Sequence, residues 1–256
     1  MKKILYAASE ALPYVSTGGL ADVIGSLPKA VRRELGDEGD IRVVIPLYPS
    51  IRKKFAEQIE LVREINVKLS WRNQYCGIWQ TVSEGVTFYF IDNEYYFNRP
   101  ALYGSFDDGE RFAYFGKAIL ELMVAVDFYP DILHANDWQT ALSVIYLKRK
   151  YAHIPAYQSV RALFTIHNID YQGIYDFSIL SDVFELAEWD RNIVEYNGCI
   201  NLLKIRGGDS HRILRQRTPP HPARQPGQAL RHHKRHRYAL LQRRDRSGNC
   251  RELYTG

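Results

Sequence analysis

Five short runs rich in Val, Ile and Phe recur along the chain: KILYAA (3–8), IRVVIPLY (41–48), VTFYFID (86–92), DILHAN (131–136) and ALFTIH (162–167). None shows the clean polar alternation of a half-exposed strand, so each reads as a strand buried on both faces. Stretches of helical period lie between them. GLADVIGSLPKAVRREL (19–35) places Leu20, Val23, Ile24, Leu27 and Val31 on one side, and Pro28 is expected to kink or interrupt it. GERFAYFGKAILELMVAVDF (109–128) carries Phe112, Phe115, Ile119, Leu122, Met123 and Val126 in one stripe, with Asp107 or Asp108 as its N-cap. WQTALSVIYLKRKY (138–151) is a third helix. Alternation of this kind predicts an α/β fold, a doubly wound and mostly parallel sheet with helices on both faces and right-handed crossovers.

Length and apolar content (256 residues, 46%) suffice for a real core. No apolar run approaches the roughly 20 residues of a membrane span, and the start, MKKILYAASEALPY, has too short an apolar patch for a secretory signal. The expectation is a cytoplasmic protein with no membrane partner. Cys76, Cys199 and Cys250 lie far apart without metal-ligand spacing, which predicts reduced thiols and no metal site. The net charge of +5 conceals two unlike segments: residues 205–256 hold 13 Lys and Arg against 3 Asp and Glu, leaving 21 against 26 for residues 1–204. The basic segment shows no sustained hydrophobic period and is expected to hold little structure. Its run RHHKRHRY (231–238) suits a phosphate backbone, but no recognition fold accompanies it, so no specific nucleic-acid partner is expected.

In parallel sheets ligands bind outside the carboxyl ends of the strands. There the polar residues collect: Glu10 and STGGLAD (16–22) after the first run, Asn136 and Asp137 after the fourth, and His167, Asn168, Gln172 and Gly173 after the fifth. Three such loops make a cleft for a polar ligand. Gly18 and Gly19 would let a backbone approach that ligand and aim helix N–H groups at it, an arrangement suited to phosphate. Each residue also has a plainer explanation. The glycines suit a tight strand-to-helix turn, Asp137 an N-cap, and His167 a core position; the aromatic EYYFNRPALYG (94–104) suits a surface loop with its rings packed inward.

Five segments, ILYAASEALPYVSTGGLADVIGSLPKAV, YYFNRPALYG, RFAYFGKAILEL, DILHANDWQTAL and FTIHNIDYQG, together resemble the N-terminal domain of bacterial glycogen synthases and plant starch synthases, in order from the first residues to about Lys204. The resemblance implies the Rossmann-like N-terminal half of a two-domain glycosyltransferase. Such an enzyme moves glucose from ADP-glucose to the non-reducing end of an α-1,4-glucan such as glycogen with retention, and needs neither cofactor nor metal. Carried over by position, Gly18 and Gly19 face the donor diphosphate beside Ser16 and Thr17. Asp137 contacts the donor glucose or orients the acceptor, and His167 and Asn168 hold the sugar, His167 beside the anomeric centre. Glu10, Gln172 and Phe97 complete the binding set. Ser16 stands where many relatives carry lysine, and Phe97 where some carry tyrosine.

The motif resemblance ends after CINLLK (199–204). Beyond it, permissible codons for IRGGDSHRIL, HHKRHRY and RDRSGNCRELYT, read one nucleotide later, yield strings similar to successive family segments: YAEEILTAYF, IINGID and ATDREIAANYT. The expected organisation is therefore a domain over residues 1–204 followed by a basic, out-of-frame tail over 205–256. On this basis the chain is expected to be a truncated, inactive transferase. The alternatives are a glucan- or nucleotide-binding fragment without turnover and a nucleic-acid binder resting on charge alone.

Overall fold

The computed structural model describes residues 1–204 and the backbone of 211–215. All five predicted strands form: β1 (Lys2–Ala7), β2 (Gly39–Pro46), β5 (Val86–Asp92), β6 (Ile132–Asn136) and β7 (Arg161–Ile166). A hairpin not singled out by the sequence, β3 (Glu60–Leu69) and β4 (Arg72–Ser83), precedes β5, and β11 (His211–Arg215) adds an edge. The sheet runs β11-β7-β6-β1-β2-β5-β4-β3, parallel from β11 to β5 and antiparallel through the hairpin. Three two- to three-residue strands, β8 (Ile174–Tyr175), β9 (Glu195–Tyr196) and β10 (Cys199–Asn201), form a separate small sheet.

The three predicted helices are α1 (Gly19–Leu35), α4 (Asp108–Ala125) and α5 (Trp138–Arg149), with the short α2 (Pro49–Phe55), α3 (Glu94–Phe97) and α6 (Arg191–Val194) between and after them. From β1 the chain passes through α1 to one side of the sheet, and from β6 through α5 to the other. With both crossovers right-handed, α1 and α5 lie on opposite faces. The central strands are buried on both sides: Leu5, Val43, Val44, Ile45, Phe88, Phe90, Leu133 and Phe164 are all at most 1% exposed.

Several expectations need correction. α1 runs unbroken through Pro28, whose ring is buried in the packing face with Leu20, Ala21 and Ile24, while Leu27 turns outward. Residues 94–97 form a helical turn rather than a loop, because Asn93 accepts a hydrogen bond from the Tyr96 N–H at 3.0 Å and caps it. Asp107 occupies the N-cap of α4 but makes no capping bond, its carboxylate being held by Arg99 at 2.7 Å. β11 lies within the stretch expected to hold little structure, and its five residues satisfy the otherwise open edge of β7. The rest of the basic tail, 205–210 and 216–256, lies outside the described residues. Cys76 is a buried free thiol, and Cys250 lies outside the described residues. No helix among the described residues is long and apolar enough to cross a membrane.

Candidate ligand site at the strand ends

The winding direction of the sheet switches between β1 and β6, the place where open α/β sheets form a ligand crevice. The segments leaving β1, β6 and β7 at that end carry the residues expected from sequence. Glu10, nearly buried, accepts hydrogen bonds from the Thr17 N–H and, at 2.9 Å, from the Thr17 hydroxyl. Burial pushes its carboxyl up, the bonds from Thr17 and Gly18 draw it down, and the charge of Asp137 pushes it up again. Glu10 therefore ties the 16–19 loop to the end of β1 and spends its acceptor oxygen inside the protein.

Residues 16–19 are exposed. Gly18 is the N-cap of α1, in extended backbone that any residue adopts, and no side chain caps the helix. A Cβ built at either Gly18 or Gly19 would meet no atom within 4 Å. Neither backbone conformation at Gly18 nor packing at either position requires glycine here. What the glycines provide is open space in front of uncapped first-turn N–H groups.

Asp137 is the N-cap of α5 with φ 59° and ψ 175°, a backbone region that glycine alone occupies readily. That conformation lets its N–H donate to Thr165 O at 2.9 Å, while its Oδ1 accepts from the His167 N–H at 2.7 Å. It makes no side-chain bond to its own helix. The plain N-cap explanation thus fails, and Asp137 instead clasps the end of β7 to the end of β6. The His167 ring, half-buried, reaches back at Nε2 to Asn136 Oδ1 at 2.9 Å. Burial raises the Asp137 carboxyl and lowers the His167 imidazole, each opposed by the other's charge. Both groups are thus pushed toward their neutral forms.

Asn168 is exposed beside His167. Gln172 is engaged at both ends of its amide, donating to Ile169 O at 2.8 Å and accepting from Asn201 Nδ2 at 2.6 Å, so it shapes its loop. Gly173 sits at φ 62°, where a Cβ would lie 2.8 Å from Trp138 Cε3, and both facts require glycine. Phe97 does not belong to the site. Its ring is wholly buried against Tyr48, Tyr114 and Phe115, because the turn that holds it points it into the core.

Sequence reasoning missed the supports behind the crevice. Ser9 and Tyr103 share a 2.7 Å hydrogen bond, and the fully buried Arg111 pairs with Asp108 and donates to Tyr96 O at 2.7 Å. The Ser9–Tyr103 and Arg111–Tyr96 contacts join positions 94 and 15 residues apart, and no local signal reveals them. Among the described residues, no group of three or more His, Cys, Asp or Glu could hold a metal ion. The site can thus offer uncapped N–H groups to an anion on one side and the polar side chains of Asp137, His167 and Asn168 to a polar ligand on the other.

A family model described as the starch synthase catalytic domain matches residues 3–214, ten residues past the end of the motif resemblance. Glycogen synthase of Bacillus cereus is 45% identical over 203 residues, covering 78% of this chain and 42% of that protein. Its counterpart in Streptococcus pneumoniae is 47% identical over 204 residues, covering 79% and 42%. The catalytic domain of starch synthase IV from Arabidopsis thaliana, bound to ADP and acarbose, is similar in structure with a TM-score of 0.69 and 30% identity, over 79% of this chain and 42% of that one. The chain spans 42% of the length of these relatives.

Proposed function

Because the chain belongs to the starch synthase catalytic domain family, we propose that residues 1–204 form one wall of the donor site of a retaining glucosyltransferase, which moves glucose from ADP-glucose to the non-reducing end of an α-1,4-glucan. The observation that carries this reading is the convergence of the β1, β6 and β7 loops on one crevice, with open space before Gly18 and Gly19. In the reaction the bond from the glucose anomeric carbon to the donor phosphate breaks and a bond to the acceptor hydroxyl oxygen forms, while the hydroxyl proton passes to the departing phosphate. No carboxylate nucleophile is required. The chain's own residues position the reactants and stabilise charge.

In this reading the first-turn N–H groups of α1 face the diphosphate, with Ser16 and Thr17 at its rim. The backbone carbonyl of His167 eases positive charge developing at the anomeric carbon, and Asn168 holds the sugar. Asp137 contacts the glucose and fixes the His167 loop. Glu10 and Gln172 hold the two loops in shape. Ser16 supplies no cation, so more of the phosphate charge falls to groups from a second domain.

A polypeptide of these 256 residues presents one wall, and the 42% coverage of its relatives supports reading it, taken alone, as a binding fragment without turnover. We read residues 205–256 as translated out of frame, which sequencing the gene through the Lys204 codons tests. The function itself is tested by incorporation of labelled glucose from ADP-glucose into glycogen. Residues 1–204 joined to the second half of a related glycogen synthase should incorporate label, and the 256-residue chain should remain at background. Robust incorporation by the 256-residue chain contradicts the one-wall reading, and an inactive but folded completed enzyme contradicts the assigned function.

A further inference from the structure

We infer that Asn136 is a positioning residue that fixes His167 as its Nε2–H tautomer, leaving Nδ1 as a hydrogen-bond acceptor at the crevice. The inference rests on the proposed site for its meaning but not for its chemistry. Asn136 Nδ2 lies 3.1 Å from Ala7 O and 3.0 Å from His134 O. Both are backbone carbonyls, which can only accept, so the amide nitrogen must face them and Oδ1 must face away. That Oδ1 lies 2.9 Å from His167 Nε2, and an amide oxygen can only accept, so Nε2 carries the proton. Turning the amide over would set its oxygen against two carbonyl oxygens and give up the bonds to both. With Asn136 only 1% exposed, water offers no replacement.

A neutral imidazole protonated at Nε2 has its lone pair on Nδ1, and no described residue is bonded to that atom. The charged or titratable groups around the ring are Asp137 at the end of β6, His134 within β6, and Glu10 after β1, the last reaching the ring through Asp137. His134 is occupied at Nε2 by the Thr165 hydroxyl at 2.8 Å and is held neutral by burial. Burial of His167 outweighs the attraction of Asp137, which keeps the ring uncharged. The crevice is therefore divided. Uncapped N–H groups of α1 suit an anion, whereas the His167 ring accepts a hydrogen bond from a hydroxyl and would present a lone pair, not a cation, to a phosphate oxygen.

The test is long-range proton–nitrogen correlation spectroscopy on the ¹⁵N-labelled 256-residue chain, with the His167 ring identified by its disappearance in His167→Gln. At pH 7 the expected pattern has the proton on Nε2 and a bare Nδ1. A proton on Nδ1 alone, or on both nitrogens at that pH, overturns the inference. A second arm uses Asn136→Asp, which replaces the accepting amide by a carboxylate and should raise the proton affinity of the ring at least about tenfold. An unchanged affinity in a folded variant also overturns it. If that variant does not fold, the unmodified chain still decides. Failure of glucosyl transfer in the completed enzyme would leave the tautomer as found, so the two readings fail separately.

Discussion

Asp137 Oδ1 accepts a hydrogen bond from the backbone N–H of His167 at 2.7 Å, joining the loops of two adjacent parallel strands within the crevice itself. The bond exists because residue 137 holds a positive φ that side chains resist, at a cost of about 1–3 kcal/mol. Asp137→Ala loses the acceptor and keeps the strain, whereas Asp137→Gly loses the acceptor and relieves it. Denaturant unfolding should therefore find the glycine variant more stable than the alanine variant by about 1 kcal/mol or more. Equal stabilities would show that the backbone here is not strained.

Glycines at the crevice and glycines in the core should separate by the same substitution. Gly19→Ala places its methyl in open space and should change stability by less than about 0.5 kcal/mol, while raising KM for ADP-glucose in the completed enzyme. Gly25→Ala drives a Cβ to 2.8 Å from Leu12 Cβ and should destabilise by about 1–3 kcal/mol. Thermal melts of the pair, with KM for the first, check both. A Gly19→Ala variant as destabilised as Gly25→Ala would mean that packing, not a ligand, demands the glycine.

Phe97 behaves as core. Phe97→Ala should lose about 3–5 kcal/mol of stability, as wholly buried aromatic rings do on truncation. A loss below about 1 kcal/mol in urea unfolding, accompanied by weakened substrate binding, would return the ring to the site.

The five central strands and three long helices were legible because buried runs and helical stripes leave local patterns. The β3–β4 hairpin was harder: its first strand, ELVREINVKL, is exposed for most of its length and carries Glu60, Arg63, Glu64 and Lys68 along a sheet edge. β8, β9 and β10 are too short to leave any period. At the site, the glycines, Asp137 and His167 were readable from their place after strands. Where their side chains point was not, since the Asp137–His167 and Asn136–His167 bonds span 30 and 31 residues. That Glu10 turns inward depends on Thr17 and Gly18, and an aromatic motif does not reveal which face of a helical turn Phe97 occupies.

Burial of His134 makes stability depend on pH. Its imidazole is pushed down from the ordinary 6.5 to about 4, so between those values the unfolded chain binds a proton that the folded chain excludes. The contribution is fully present above about pH 6.5 and is lost as pH falls to about 4, amounting to roughly 3 kcal/mol. Unfolding free energies across this range should fall more steeply for the unmodified chain than for His134→Gln. Parallel curves would mean that the ring titrates alike in both states.

The central claim is that the crevice between the β1 and β7 loops carries out the transfer, and His167 in the completed enzyme tests it most directly. Turnover is measured as labelled glucose passing from ADP-glucose into glycogen, alongside a thermal melt to confirm folding. His167→Ala keeps the backbone carbonyl and removes the ring that accepts from a sugar hydroxyl; loss of one preorganised polar group from such a site lowers turnover by about 10²-fold or more, so the variant should do so while melting within a few degrees of the unmodified enzyme. A folded His167→Ala enzyme that turns over within twofold of the unmodified one would contradict the account.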